Sequence, residues 1–191
     1  SRQRRLLLNI ARAAITEQAR GRGAPPRAGA VADAALNRPA ACFVTLEKFG
    51  ELRGCIGDLE PRLPLWMAVH ENARAAAARD PRFPPVSVEE LPDLSIEISV
   101  LSTPVPLEAG SPEAVMRALR PGRDGVILEV GGRRATFLPQ VWEKVPDAES
   151  FLTHLSLKAC GDPTAWRDPQ ARFAVYTVES FDEREMDERG D

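Results

Sequence analysis

The sequence predicts an α+β fold: antiparallel sheets, or a small barrel, with flanking helices. Three observations carry this. Leu94 to Leu101 alternates apolar and polar residues with the period of a strand. Two hairpin signals stand at Phe49-Gly50 and Gly131-Gly132. Helix-period segments interrupt these hairpins without the regular strand–helix alternation of a parallel sheet.

Residues 3–20 open the chain as a helix, with Leu6, Leu7, Ile10, Ala14 and Ile15 on one side, and Gly21 to Pro26 stop it. Residues 41–47 read as a strand, and 52–57 as a second, glycine-interrupted one. Residues 65–79 form a helix with Trp66, Val69, Ala73 and Ala76 on one face, ended by the prolines from Pro81 onward. Ile96, Ile98 and Val100 share one face of the strand 94–101, and Ser95, Glu97 and Ser99 the other. Ser111-Pro112 is an N-cap followed by a proline at the first helical position, so a short helix runs to about Leu119. Residues 126–130 and 133–138 form the clearest hairpin. Residues 148–159 are helical, with Phe151, Leu152, Leu155 and Ala159 inward and Gly161 as the stop, and 172–178 is a final strand.

The chain of 191 residues fits one domain or two small interlocked ones. It has no internal repeat and no low-complexity linker, and the Pro/Gly-rich segments 21–39 and 81–92 read as long loops. With 43% hydrophobic and 28% charged residues, disorder, collagen and coiled coil are disfavoured. A formal charge of −3 gives no reason to expect a nucleic-acid partner. The charge is polarised: 1–27 holds seven Arg against one Glu, and 182–191 six acids against two Arg, so these ends are solvated or pair with each other. Residues 181–191 read as an acidic tail. No segment approaches the ~18–20 apolar residues of a membrane span. Leu6-Leu7-Leu8 is too short for the core of a secretion signal, and the protein is read as cytoplasmic.

The chemistry must come from a short inventory of 3 Cys and 2 His. Cys42, Cys55 and Cys160 are odd in number and far apart, which argues against a disulfide framework. No C-x-x-C pair or cluster-binding run is present, so no metal or cofactor is expected. Dinucleotide, P-loop, G-x-S-x-G and H-E-x-x-H patterns are absent too.

The most unusual stretch is Leu52-Arg53-Gly54-Cys55-Ile56-Gly57. Glycines weaken a strand, so two of them around a Cys imply close backbone approach, to a ligand or a packed neighbour, or a bulge that re-aims the Cys. Arg53 beside it suits activation of a thiol or binding of an anion. The bland alternative is Cys55 as a small buried hydrophobe. His70 and His154 sit on helices beside apolar stripes, where a structural role is the commoner one. Glu97 lies on a polar face that is either solvated or lines a cleft, and Asp80 to Pro85 is a rigid loop presenting Arg82.

Taken in order, Leu52 to Gly57, Asp80 to Pro85, Ile96 to Leu101, Ala135 to Trp142 and Phe151 to Leu155 resemble the AMMECR domain family over about residues 5–180. The resemblance implies one AMMECR-like domain across 1–191, built as two intimately connected subdomains, the larger carrying both chain ends. It implies a functional Arg-Gly-Cys motif with no assigned catalytic role, in a family whose biochemical activity is not settled. It also implies association, in prokaryotes, with a Memo-type protein and a radical S-adenosylmethionine enzyme, as component A of the AmmeMemoRadiSam system. His154 falls in a segment that matches prokaryotic members.

Two functions follow as expectations. In the first, Cys55 is a nucleophile or modified thiol, His154 its base and Glu97 an orienting carboxylate, with Arg53, Gly54, Gly57 and Arg82 binding an unidentified small ligand. In the second, the chain is a non-catalytic accessory module for those two partners.

Overall fold

A computed structural model of the chain describes residues 1–22 and 31–184. In chain order its elements are α1 (Arg2–Ala19), β1 (Cys42–Lys48), β2 (Glu51–Gly57), α2 (Leu65–Ala78), β3 (Leu94–Leu101), β4 (Val105–Pro106), α3 (Pro112–Ala118), β5 (Gly125–Val130), β6 (Arg133–Phe137), α4 (Ala148–Cys160), β7 (Arg172–Tyr176) and β8 (Val178–Asp182). The chain divides into two compact units, one of residues 1–101 and the stretch from 179 onward, the other Ser102–Val178. Among the described residues no helix is long and apolar enough to cross a membrane.

In the first unit, α1 begins where Ser1 Oγ accepts the Arg4 N–H, and it buries Leu7, Leu8, Ala11, Ala14 and Ile15. That stripe is rotated slightly from the expected one, leaving Leu6 and Ile10 only partly buried. Helix α2 is buried on most of its surface because it packs against both α1 and the sheet. The sheet runs β2-β1-β3-β8, with β1 antiparallel to both β2 and β3. Val44, Leu46, Ile96 and Ile98 face the helices and join their core. Burying each such side chain contributes roughly 1.5–3 kcal/mol.

The second unit has the sheet order β4-β7-β5-β6. Helix α4 starts at Asp147, whose carboxylate accepts the Ser150 N–H, and stops at Gly161 with φ of 78°. It brings Phe151 onto Trp142, with stacked rings 3.8 Å apart. The β5–β6 turn uses Gly131 and Gly132 at φ of 57° and 73°, which is why two glycines stand there.

Four expectations need correction. The sheets are open four-stranded sheets and not a closed barrel, since β2, β8, β4 and β6 stand at sheet edges. The final strand is two: at Thr177, whose N–H donates to Ser102 Oγ and whose carbonyl accepts the Ser102 N–H, the chain leaves β7 and enters β8 in the first sheet. The polar face of β3 is not uniform either. Ser99 is buried, with its Oγ bonded to Ser180 Oγ of β8 at 2.7 Å, and on the other face Val100 is only half-buried. The acidic tail begins later than expected: Phe181 is buried, Glu183 pairs with Arg12 and accepts the Ile96 N–H, and Glu179 pairs with Arg4. The rest of the tail, 185–191, and part of the first loop, 23–30, lie outside the described residues.

Candidate functional site: the Cys55 strand and the Asp80 loop

The site residues of the first unit are placed by the β1–β2 hairpin. Its tip puts Phe49 and Gly50 at φ of 55° and 83°, a left-handed two-residue turn matched to strand twist. Further along, Leu46 pairs with Gly54 but Glu47 with Leu52, so Arg53 is the extra residue of a β-bulge. The glycines around Cys55 are explained by packing. A Cβ on Gly54 would stand 2.3 Å from the Ala76 carbonyl oxygen of α2, and one on Gly57 would stand 2.4 Å from the Phe43 ring. The close backbone approach is thus to a helix and a side chain of the same unit.

Thr45 of β1 is directly opposite Cys55 of β2 and Glu97 of β3. Opposed residues share a sheet face, so Cys55, Thr45 and Glu97 form one row across three strands. The Thr45 hydroxyl donates to Cys55 Sγ at 3.3 Å. Glu97 Oε1 accepts from Ser99 Oγ at 3.4 Å. Cys42, on the core face, is fully buried, and burial pushes its thiol up to about 11. Cys55 is half-buried.

Asp80 follows α2 directly. Its Oδ2 accepts the Cys55 backbone N–H at 2.9 Å on the edge of β2, a bond that a neighbouring strand would otherwise supply. The same carboxylate accepts the Arg82 backbone N–H at 3.0 Å, Nε at 2.9 Å and Nη2 at 2.7 Å. This is an Asx turn combined with a bidentate ion pair. Arg82 first, then the Cys55 N–H, hold the buried Asp80 carboxyl far below its usual range. Arg82 in turn is pushed up chiefly by Asp80, with a smaller contribution from Cys55.

Arg53 is held from the other side. Ser87 and Glu90 form a capping box at the 3₁₀ turn Val88–Asp93, which fixes Glu90. Glu90 then accepts Arg53 Nε at 3.0 Å and Nη2 at 2.9 Å, with Lys48 Nζ at 3.2 Å. Arg53 above all draws the Glu90 carboxyl down to about 2. Arg53 Nη1 is buried and has no acceptor among the described residues. An unpaired buried donor costs about 1–3 kcal/mol, more when charged. Phe83 lies within cation–π range of both guanidiniums, at 5.9 Å from Arg53 and 5.5 Å from Arg82.

Of the expected site residues, Arg53, Gly54, Cys55, Gly57, Arg82 and Glu97 belong to the first unit, and Cys55 and Glu97 share the Thr45 row. His154 belongs to the second, exposed on α4, with Nδ1 2.7 Å from the Ser150 carbonyl, so Nδ1 carries the proton there. His70 is buried with Nδ1 3.2 Å from Glu71. Among the described residues no group of His, Cys, Asp and Glu is arranged to hold a metal ion. Sequence reasoning missed Thr45, Asp80, Phe83 and Glu90. Ser87-Val88-Glu89-Glu90 carried a readable capping-box signal.

Residues 8–181 match the AMMECR1 family. The chain belongs to the AMMECR1 family. It is 45% identical over 180 residues to a protein of Methanothermobacter thermautotrophicus, covering 94% of this chain and 93% of that one. It is 40% identical over 153 residues to a protein of Methanocaldococcus jannaschii, covering 78% and 76%. The fold is similar to the crystal structure of an uncharacterized Pyrococcus horikoshii protein, with TM-score 0.77, 37% identity and coverage of 93% and 89%. The Arg-Gly-Cys strand, the Asp80 loop and β3 all lie inside the matched AMMECR1 region.

Proposed function

We propose that this AMMECR1-family chain uses the cluster of Arg53, Cys55 and Arg82 as a ligand-binding active site whose reactive group is the Cys55 thiol. One observation carries the reading: a half-buried sulfur that accepts a hydroxyl hydrogen bond at 3.3 Å, in a loop-and-strand cluster that also holds a guanidinium through Asp80. The thiolate is the nucleophilic form of a cysteine. Glu97 lies across from Thr45 in the same row of the sheet. Every group invoked lies in the first unit. The free thiols Cys42, Cys55 and Cys160 suit a reducing cytoplasm.

The test is the alkylation rate of the three cysteines in the folded protein as a function of pH, read by peptide mass spectrometry. Cys55 should react fastest, and Cys42 should stay unmodified until the protein unfolds. Equal rates at Cys55 and Cys42 would remove the nucleophile.

A second reading makes the chain an accessory module for a Memo-type protein and a radical S-adenosylmethionine enzyme, partners that the resemblance alone suggests. The observation in its favour is Phe49, 79% exposed at the hairpin tip near the half-exposed Leu52. Exposed aromatics of this kind commonly anchor interfaces. Co-purification with either partner, lost in Phe49→Ala, supports it; no co-purification with the intact chain counts against it.

A further inference from the structure

Helices α1 and α2 pack together in the first unit and leave a cavity of about 290 Å³ at their C-terminal ends. Gln18 of α1 lines it, with Glu71, Arg74 and Ala78 of α2 and Arg79 directly after that helix. No residue of the Cys55 cluster lines this cavity, so its chemistry is independent of the thiol reading.

The lining holds two guanidiniums against one carboxylate. Glu71, Arg74 and Ala78 recur at three- and four-residue spacing, which sets them on one face of α2. Arg74 donates Nε and Nη2 to Gln18 Oε1 at 3.2 and 3.1 Å. A neutral amide oxygen fixes the guanidinium without cancelling its charge. Arg12, Arg53 and Arg82, by contrast, each meet a carboxylate. Arg74 Nη1 has no acceptor among the described residues and, unlike Arg53 Nη1, is not closed off from solvent. The exposed Arg79 side chain has no partner among the described residues either. A cation at a helix C-terminus offsets the partial charge of the last carbonyls, which accounts for Arg79 alone. Arg74 stands outside that last turn. The one acid, Glu71, already has Oε1 3.2 Å from His70 Nδ1.

We propose that this cavity binds the oxyanion group of a small ligand, a carboxylate or a phosphate, through Arg74 and Arg79. Guanidiniums match both groups through paired N–H donors. Gln18 is the positioning residue that aims Arg74, and Glu71 is the opposing charge that weakens the hold on an anion.

The experiment titrates the full chain, carrying isotope-labelled arginine, with sodium phosphate or sodium acetate while chloride keeps the ionic strength constant. The readout is the NMR signal of each arginine Nε–H. Arg74 and Arg79 should shift together and saturate, whereas the exposed Arg5 on α1 should only drift with salt. Saturation by phosphate alone assigns a phosphoryl ligand, by acetate alone a carboxylate, and by both the shared oxyanion chemistry. Gln18→Glu keeps the side-chain shape but neutralises Arg74, and it should weaken the anion about tenfold, the scale of a hydrogen bond to a charged group. Glu71→Gln removes the opposing charge and should tighten binding about threefold. This second variant keeps the test open even where Gln18→Glu fails to fold. Arg74 and Arg79 signals that follow Arg5 with both salts overturn the proposal. So does saturation that neither variant changes, because the anion would then sit elsewhere.

Discussion

Thr45 and Cys55 face each other across neighbouring strands, with the Thr45 hydroxyl 3.3 Å from the Cys55 sulfur. The hydroxyl can rotate to serve either protonation state, accepting from the thiol or donating to the thiolate. Thr45→Val keeps the volume and removes the donor. Its Cys55 alkylation rate at neutral pH should fall about tenfold, the usual worth of a hydrogen bond to a charged group. Thr45→Ser restores the donor and should recover most of the rate. Equal rates in all three proteins would leave Thr45 with a packing role only.

Glu90 links the site to stability. Its folded carboxyl titrates at about 2, below the ordinary 4.5, because Arg53 and the Ser87 N–H favour the charged form. A lowered folded value contributes stability that is fully present above the unfolded value and lost as pH falls through the folded one. Glu90 should therefore contribute on the order of 2 kcal/mol at pH 7 and lose that between about pH 4.5 and pH 2. Urea unfolding across that range, compared with Glu90→Gln, measures it. The two proteins should differ at pH 7 and converge near pH 2.

The secondary structure was largely legible, because helices and hairpins carry local signals. Asp147 and Gly161 bound α4, and Phe151, Leu152 and Leu155 mark its buried side. Strand β8 was not legible. It has one fully buried apolar residue, Phe181, and is neighbour to a strand far back in the chain, as the Ser99–Ser180 contact spanning 81 residues records. The site divides in the same way. Gly54 and Cys55 stood out because glycines in a strand need a reason, but the reason lies in α2. Thr45 carries no local mark, and the local mark on Asp80, the Asp-Pro-Arg turn that it opens, does not point to Cys55. Thr45 acquires its place only through strand register, and Asp80 through the fold-back of the loop after α2.

Asp80 joins the Cys55 backbone to Arg82 from a side chain that is 2% exposed, whereas Arg82 is 54% exposed. In Asp80→Ala the Cys55 N–H loses its acceptor, while Arg82 can turn to solvent. The loss should be about 2 kcal/mol, less than for a pair in which both partners are buried. Denaturant unfolding reads the stability. Alkylation reads the site, where Cys55 should react more slowly as Arg82 departs. An unchanged rate together with lost stability would assign Asp80 to edge capping alone.

Gly54→Ala separates the packing account of the motif from a ligand account. The added Cβ would stand 2.3 Å from the Ala76 carbonyl oxygen and 3.2 Å from its carbon, both backbone atoms of a buried helix. No side-chain rotation relieves that overlap, so β2 or α2 must shift. Overpacking of this kind costs about 1–3 kcal/mol, occasionally more. The substitution should lower the melting temperature by several degrees, since about 1 kcal/mol corresponds to roughly 2–4 °C in a chain of this size. An unchanged melting temperature would mean that the glycine is not required by α2, and would return it to the role of opening the strand to a ligand.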